Sequence, residues 1–160
     1  MNDEFLRYKT SSSTHRLVLL HGWGANAEDL MELGLAITKD LLCSVELVSL
    51  RAPHPHINGT GRQWYPLFPP QWFLVPEAID SLDRRLKKLA SKEIPLEKTI
   101  VLGFSQGGAM ALHAGATLPL AGLIACSAYP HPDWNPPHST PPIKLFHGKL
   151  DEVVPYLASK

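Results

Sequence analysis

Apolar and polar positions follow two rhythms along this chain, and the switches between them predict its elements. Short continuous apolar runs at 15–20, 45–50, 99–102, 121–127 and 143–146 read as strands buried on both faces. A further short strand is expected at Phe5 to Lys9. Between these runs the apolar positions recur at helical spacing. Asn26 can cap a helix over 27–41 that carries Leu30, Leu33, Ile37 and Leu41 on one face. Pro76 suits the first turn of a second helix running to about Ser91, with Ile79, Leu82, Leu86 and Leu89 as its buried stripe. Arg84, Arg85, Lys87 and Lys88 then form the solvated side of that helix. A third helix, rich in small residues, follows Ser105 and is stopped by Pro119. Strand and helix alternate, which predicts an α/β architecture, a mostly parallel doubly wound sheet flanked by helices, in a single domain over 1–160.

Composition changes this picture little. A chain of 160 residues with 44% hydrophobic and 19% charged positions can bury a real core. Its formal net charge of zero gives no reason to expect nucleic acid or an anionic membrane as a partner. No apolar run approaches the length of a membrane span, and the polar, acidic start is unlike a signal peptide. Cys43 and Cys126 lie in or beside apolar runs, which predicts reduced core thiols and a cytoplasmic protein. The fifteen prolines cluster at 53–76 and 130–142, where two long ordered loops are expected.

The chemistry concentrates at Gly103-Phe104-Ser105-Gln106-Gly107. A strand, then Gly-x-Ser-x-Gly, then a helix is the context of a nucleophile elbow. The turn is so sharp that the positions two before and two after the serine must be nearly bare, and Gly103 and Gly107 are. Ser105 would stand at a helix N-terminus, where backbone N–H groups favour developing negative charge. Gln106 N–H is one candidate oxyanion donor. The other is the backbone of Trp23, in His21-Gly22-Trp23-Gly24 after the first buried strand. In such folds the acid follows the serine, and Asp151, after the last strand, is placed for it; Asp133 is the weaker competitor. The aromatic loop residues Trp64, Trp72 and Phe73 are candidates to line the cleft beside Ser105, or to form a minor core beneath the loop. His54-Pro55-His56 has metal-like spacing but no neighbouring ligand residue, and reads better as a turn. His21 and His147 are expected to brace loops, and His113 to pack.

Four segments carry a resemblance to a known family. They are Leu20 to Gly24; Arg51-Ala52-Pro53 with Asn58-Gly59 and Trp64-Tyr65; Leu102 to Leu112; and Phe146-His147-Gly148 with Asp151 and Val153-Val154-Pro155. They run in the order found in the phospholipase/carboxylesterase family of α/β-hydrolases, the acyl-protein thioesterase-like group, which this chain resembles over about 16–156. The resemblance implies a serine hydrolase acting on a small-molecule ester or thioester, with no metal and no organic cofactor. Ser105 is then the nucleophile, Asp151 the acid, and Trp23 and Gln106 the oxyanion donors. Trp23 stands where the family usually has a smaller apolar residue, which bears on the width of the acyl pocket. The family's histidine comes some tens of residues after the aspartate, and all eight histidines here precede Asp151. The resemblance therefore implies a chain shortened at its C-terminus, without the last strand and helix. Lys144 to His147 would then be an uncovered sheet edge through which copies could associate. Two alternatives stand beside the working enzyme. One is a catalytically impaired remnant that keeps the fold, and the other a metal-dependent hydrolase using His54 and His56.

Overall fold

The structure, a computed structural model, describes residues 4–159. Its centre is a six-stranded sheet. In chain order the strands are β1 (Phe5–Tyr8), β2 (His15–Leu20), β3 (Val45–Leu50), β6 (Thr99–Phe104), β7 (Gly122–Cys126) and β8 (Ile143–Phe146); β4 (His54–Pro55) and β5 (Arg62–Gln63) form a separate hairpin. The sheet order is β1-β3-β2-β6-β7-β8. β1 runs antiparallel to β3, and every other neighbouring pair is parallel. After β1 the chain enters the middle of the sheet at β2, fills one side, then crosses back to β6 and proceeds to the other edge. That reversal leaves a crevice beyond the carboxyl ends of β2 and β6.

The central strands are apolar at almost every step because both of their faces are covered. Leu17, Leu19, Leu47 and Leu102 face α1 (Ala27–Thr38), while Val18, Leu20, Val48, Leu50 and Val101 face α2 (Val75–Leu89) and α3 (Gln106–Gly115). α2 buries Leu82, Leu86 and Leu89 of the expected stripe and adds Val75 and Ala78, while Ile79 is only partly buried against the core.

α1 departs from expectation. It ends at Thr38, and Leu33, Ile37 and Leu41 stay more than two-fifths exposed. Its buried residues are Ala27 and Gly34, with Leu30 and Met31 packed against the sheet. Gly34 sets this phase, because a Cβ there would lie 2.8 Å from Leu19 Cδ1. The helix approaches the sheet at its bare position and turns its larger leucines outward. Cys43, expected in the core, is exposed beyond this helix, and Cys126 is half-buried.

One ion pair is buried within the sheet. Arg16 Nε donates to Glu46 Oε2 at 2.5 Å, with both side chains at most 2% exposed. Arg16 also donates to Ile94 O and Thr99 Oγ1, and Arg7 approaches Glu46 Oε1 at 3.5 Å. These bonds tie β2 to β3 and to the start of β6.

Removing one partner of such a pair strands the other charge out of water. Glu46→Ala is expected to lower unfolding stability by about 3–5 kcal/mol in urea titrations. β8 is an edge strand among the described residues, and Leu145 and Phe146 are half exposed on it. Leu145→Lys should reduce any concentration-dependent association seen by light scattering.

Candidate active site

β6 delivers the chain into a corner that very few backbones could make. Ser105 has φ 52 and ψ −118, a conformation that L residues rarely hold. Its two glycines are required by contact as well as by the turn. A Cβ on Gly103 would lie 2.1 Å from Gly107 O, and one on Gly107 would lie 2.1 Å from Leu20 O. The corner is pinned from both sides. Ser105 N donates to Cys126 O at 2.8 Å, and Ser105 O accepts from the N–H groups of Gly108 and Ala109 at 2.9 and 3.1 Å. α3 starts immediately afterwards and is buried from Gln106 to Leu112.

Ser105 and Asp151 line one cleft of about 470 Å³, with Gly22, Trp23, Leu67, Phe68, Phe104, Ser127, Tyr129 and Val153 among its walls. Gly22 lies against the elbow, its Cα so placed that a Cβ would meet Phe104 O and Ser105 Cβ at 3.5 Å. Among the described residues, no acceptor is found for the backbone N–H of Trp23 or of Gln106.

The loop that carries Trp23 is held on every side. His21 is fully buried, accepting from Ala52 N at 3.1 Å through Nε2 and donating from Nδ1 to Gly22 O at 2.8 Å. Burial holds its pKa below the ordinary histidine value, so the ring is a neutral brace. The β4–β5 hairpin pairs with the same loop. Gly24 N donates to Arg62 O at 2.9 Å, and Arg62 N donates to Ala25 O at 2.8 Å. The Trp23 indole donates to Gln63 Oε1 at 2.9 Å and makes edge contacts with His56 and Phe68.

The candidate aromatic lining is placed elsewhere. Trp64 is 1% exposed and works inside the protein: its indole donates to His21 O at 2.9 Å, and its backbone N donates to Gln106 Oε1 at 3.0 Å. The Gln106 side chain returns a bond from Nε2 to Tyr65 O at 2.8 Å. Gln106 thus clamps the aromatic loop to the elbow helix, a role its sequence position did not reveal. Trp72 packs against Tyr65 and His131, and Phe73 is exposed; neither lines the cleft. The cleft's aromatic walls are Trp23, Phe68, Phe104 and Tyr129. Phe68 lies in the first proline-rich loop and Tyr129 at the start of the second, and only the folding of those loops brings them to Ser105.

Asp151 is oriented by its own turn. Its Oδ1 accepts from Val153 N and Val154 N at 3.0 and 2.9 Å. The Val154 N–H, followed by the Ser127 hydroxyl, holds its carboxyl below the usual carboxylate range. His147 braces that turn as expected, donating from Nε2 to Val154 O at 2.7 Å, with the same nitrogen 3.6 Å from Asp151 Oδ2. Among the described residues no imidazole is hydrogen-bonded to Ser105. His54 is exposed, whereas His56 is buried against Trp23, and neither belongs to a group of three or more His, Cys, Asp or Glu among the described residues that could hold a metal.

Behind Tyr129 lies a buried chain of polar groups. The Tyr65 hydroxyl bonds the Tyr129 hydroxyl and His131 Nε2, both at 2.9 Å, and His131 Nδ1 meets His113 Nδ1 at 3.0 Å. Burial, aided by the neighbouring His113, pulls the His131 pKa from 6.5 down to about 4. Between these values the unfolded chain binds a proton that the folded chain refuses. Stability is therefore full above pH 6.5 and lost as pH falls through about 4, by on the order of 3 kcal/mol. Urea unfolding across this range should show that loss, and His131→Gln should flatten it.

Comparison with known proteins agrees with this architecture. The esterase PE8 superposes with a TM-score of 0.86 at 32% identity, covering 98% of this chain and 79% of that one. SOBER1 of Arabidopsis thaliana superposes with a TM-score of 0.73 at 21% identity, covering 90% and 78%, a likeness of fold. Acyl-protein thioesterase 1 of Saccharomyces cerevisiae is 27% identical over 97% of this chain and 78% of its own length. Acyl-protein thioesterase 1 of Neurospora crassa is 38% identical over 44% of this chain, a match that spans 33% of that protein. The phospholipase/carboxylesterase family model matches residues 1–160. With the elbow, the strand order and this match in agreement, the chain belongs to the phospholipase/carboxylesterase family of α/β-hydrolases.

Proposed function

We propose that this chain cleaves carboxylic esters or thioesters through an acyl-enzyme on Ser105. The observation that carries the reading is the strained backbone of Ser105, held on the wall of a cleft that it shares with Asp151. Strain of that kind persists only where the surroundings over-determine it, and it concentrates at working sites. In the proposed reaction Ser105 Oγ bonds to the acyl carbon and gives up its proton, which ends on the departing alcohol or thiol. The oxygen of the tetrahedral intermediate is met by the N–H groups of Trp23 and Gln106. The alcohol or thiol leaves with a proton, and water then releases the acyl group as a carboxylic acid. Asp151, on the wall of the same cleft, takes the place of the acid.

The substrate class follows from the walls. Trp23, Leu67, Phe68, Phe104 and Val153 offer apolar surface to an acyl chain, while Ser105, Ser127, Tyr129 and Asp151 supply hydroxyl and carboxyl groups. The named relatives support a thioester as readily as an oxygen ester.

A second reading is favoured by one observation: no imidazole among the described residues bonds Ser105. In that reading the chain binds acyl groups and turns over poorly, keeping on the order of 10³-fold over water from the oxyanion site alone. A fluorophosphonate probe and hydrolysis of a short thioester separate the two. The enzyme reading expects rapid labelling that Ser105→Ala abolishes, with turnover several orders of magnitude above the residual level. Labelling that is slow, or that survives Ser105→Ala, would sink it. Full activity after exhaustive chelation is expected on the enzyme reading; loss that zinc restores would revive a metal-dependent role for His54 and His56.

A further inference from the structure

α2 carries a run of basic residues, and one of them does not behave as a solvated side chain. Arg85 is half-buried, with its guanidinium 5.8 Å above the Trp64 ring. It donates to Glu4 O at 2.7 Å and Arg51 O at 2.9 Å. Arg62 donates to the carbonyls of Ala52 and Pro53. Arg51, Arg62 and Arg85 line a pocket of about 330 Å³ with Ser81, Ala52, Pro53 and Glu4. Ser81 lies one helical turn before Arg85 on the same face of α2.

Among the described residues the charges in this pocket do not cancel. Arg51 is committed to Glu28, with Nη2 to Oε1 at 2.7 Å, and to Asn26. Arg62 and Arg85 meet only neutral carbonyls in their described hydrogen bonds. Glu4 is the one carboxylate among the described lining residues, and its field favours the Arg85 charge. Against it stand burial, which is the larger influence, and the field of Arg62; together they hold the Arg85 pKa below its usual value. With Arg51 engaged by Glu28, the Arg62 and Arg85 guanidiniums face the single described carboxylate of Glu4, which leaves the cavity positive among the described residues. Planar guanidinium forks suit the paired oxygens of a phosphate. The pocket is larger than a bare phosphate and leaves room for an attached organic group.

We propose that the pocket between the end of β3, the β4–β5 hairpin and α2 binds a phosphate group, held by Arg62 and Arg85 with the Ser81 hydroxyl. The site is separate from the cleft and does not depend on the hydrolase reading. It is coupled to the cleft through Arg62. The Arg62 side chain faces the pocket, while its backbone N–H and C=O hold Ala25 and Gly24 in the loop that carries Trp23. A bound phosphate would fasten the hairpin, and with it the loop.

Calorimetric and thermal-unfolding titrations of the full chain test this, with inorganic phosphate and glycerol 3-phosphate as probes. Sodium chloride at matched ionic strength is the control. The expected result is saturable binding at one site and a melting temperature that rises with phosphate beyond the chloride control. Ser81→Asp, which adds a carboxylate without removing an arginine, should weaken binding about tenfold or more. Arg85→Gln should do the same if it folds; the Ser81 variant decides the question if it does not. Tighter binding of glycerol 3-phosphate would identify a phosphomonoester as the ligand, and equal binding the free ion. A shift that follows ionic strength alone would overturn the proposal. So would binding unchanged by Ser81→Asp, which would place the anion at another site.

Discussion

The close contact between Gly107 and the backbone of Leu20 is the constraint on which the site depends. At this point the elbow helix touches the end of the neighbouring strand with nothing but main chain between them. The strained Ser105 backbone survives because several bonds fix it at once: Cys126 O from β7, and the two helix amides that close on Ser105 O. Any side chain at Gly103 or Gly107 would separate β6 from α3 or α3 from β2. The serine would then relax to an ordinary conformation, and its hydroxyl would leave the cleft wall. The proposed chemistry therefore rests on the absence of two side chains as much as on the presence of one.

Around the elbow, polar side chains bond buried backbone across loop boundaries. His21 joins β2 to the loop after β3, Trp64 returns to His21, and Gln106 holds the backbone of Trp64 and Tyr65. Each bond satisfies a main-chain group that lies out of reach of water and would otherwise be costly to bury. The loop over 51–74 is consequently an ordered wall despite its scant regular structure. It presents Phe68 to the cleft and keeps Trp64 beneath.

Charge follows the same logic at two depths. Arg16 and Glu46 are fully enclosed, so their pairing must be nearly complete for the sheet to tolerate them. Arg62 and Arg85 are only half enclosed, and their described hydrogen bonds go to carbonyl oxygens. The difference separates a pair that fixes strand neighbours from a cavity that retains positive potential.

The strands, α2 and the elbow were legible in the sequence because each depends on a local rhythm. A run of β-branched and leucine residues has to be covered on both faces, and Gly-x-Ser-x-Gly between strand and helix admits few backbones. The family could be recognised for the same reason, since its motifs are short and contiguous. What tertiary structure decided was the inward or outward sense of residues whose local pattern is neutral. Leu33, Ile37 and Leu41 fit a buried stripe, yet Gly34 brought a different face of α1 to the sheet. Arg85 fitted a wet face, yet the aromatic ring of Trp64 and the carbonyls at the ends of other elements drew it in. Trp64 could have lined a cleft or filled a core, and the distant Gln106 and His21 settled it. Periodicity reports which residues share a face, but the partner that covers that face comes from elsewhere in the chain.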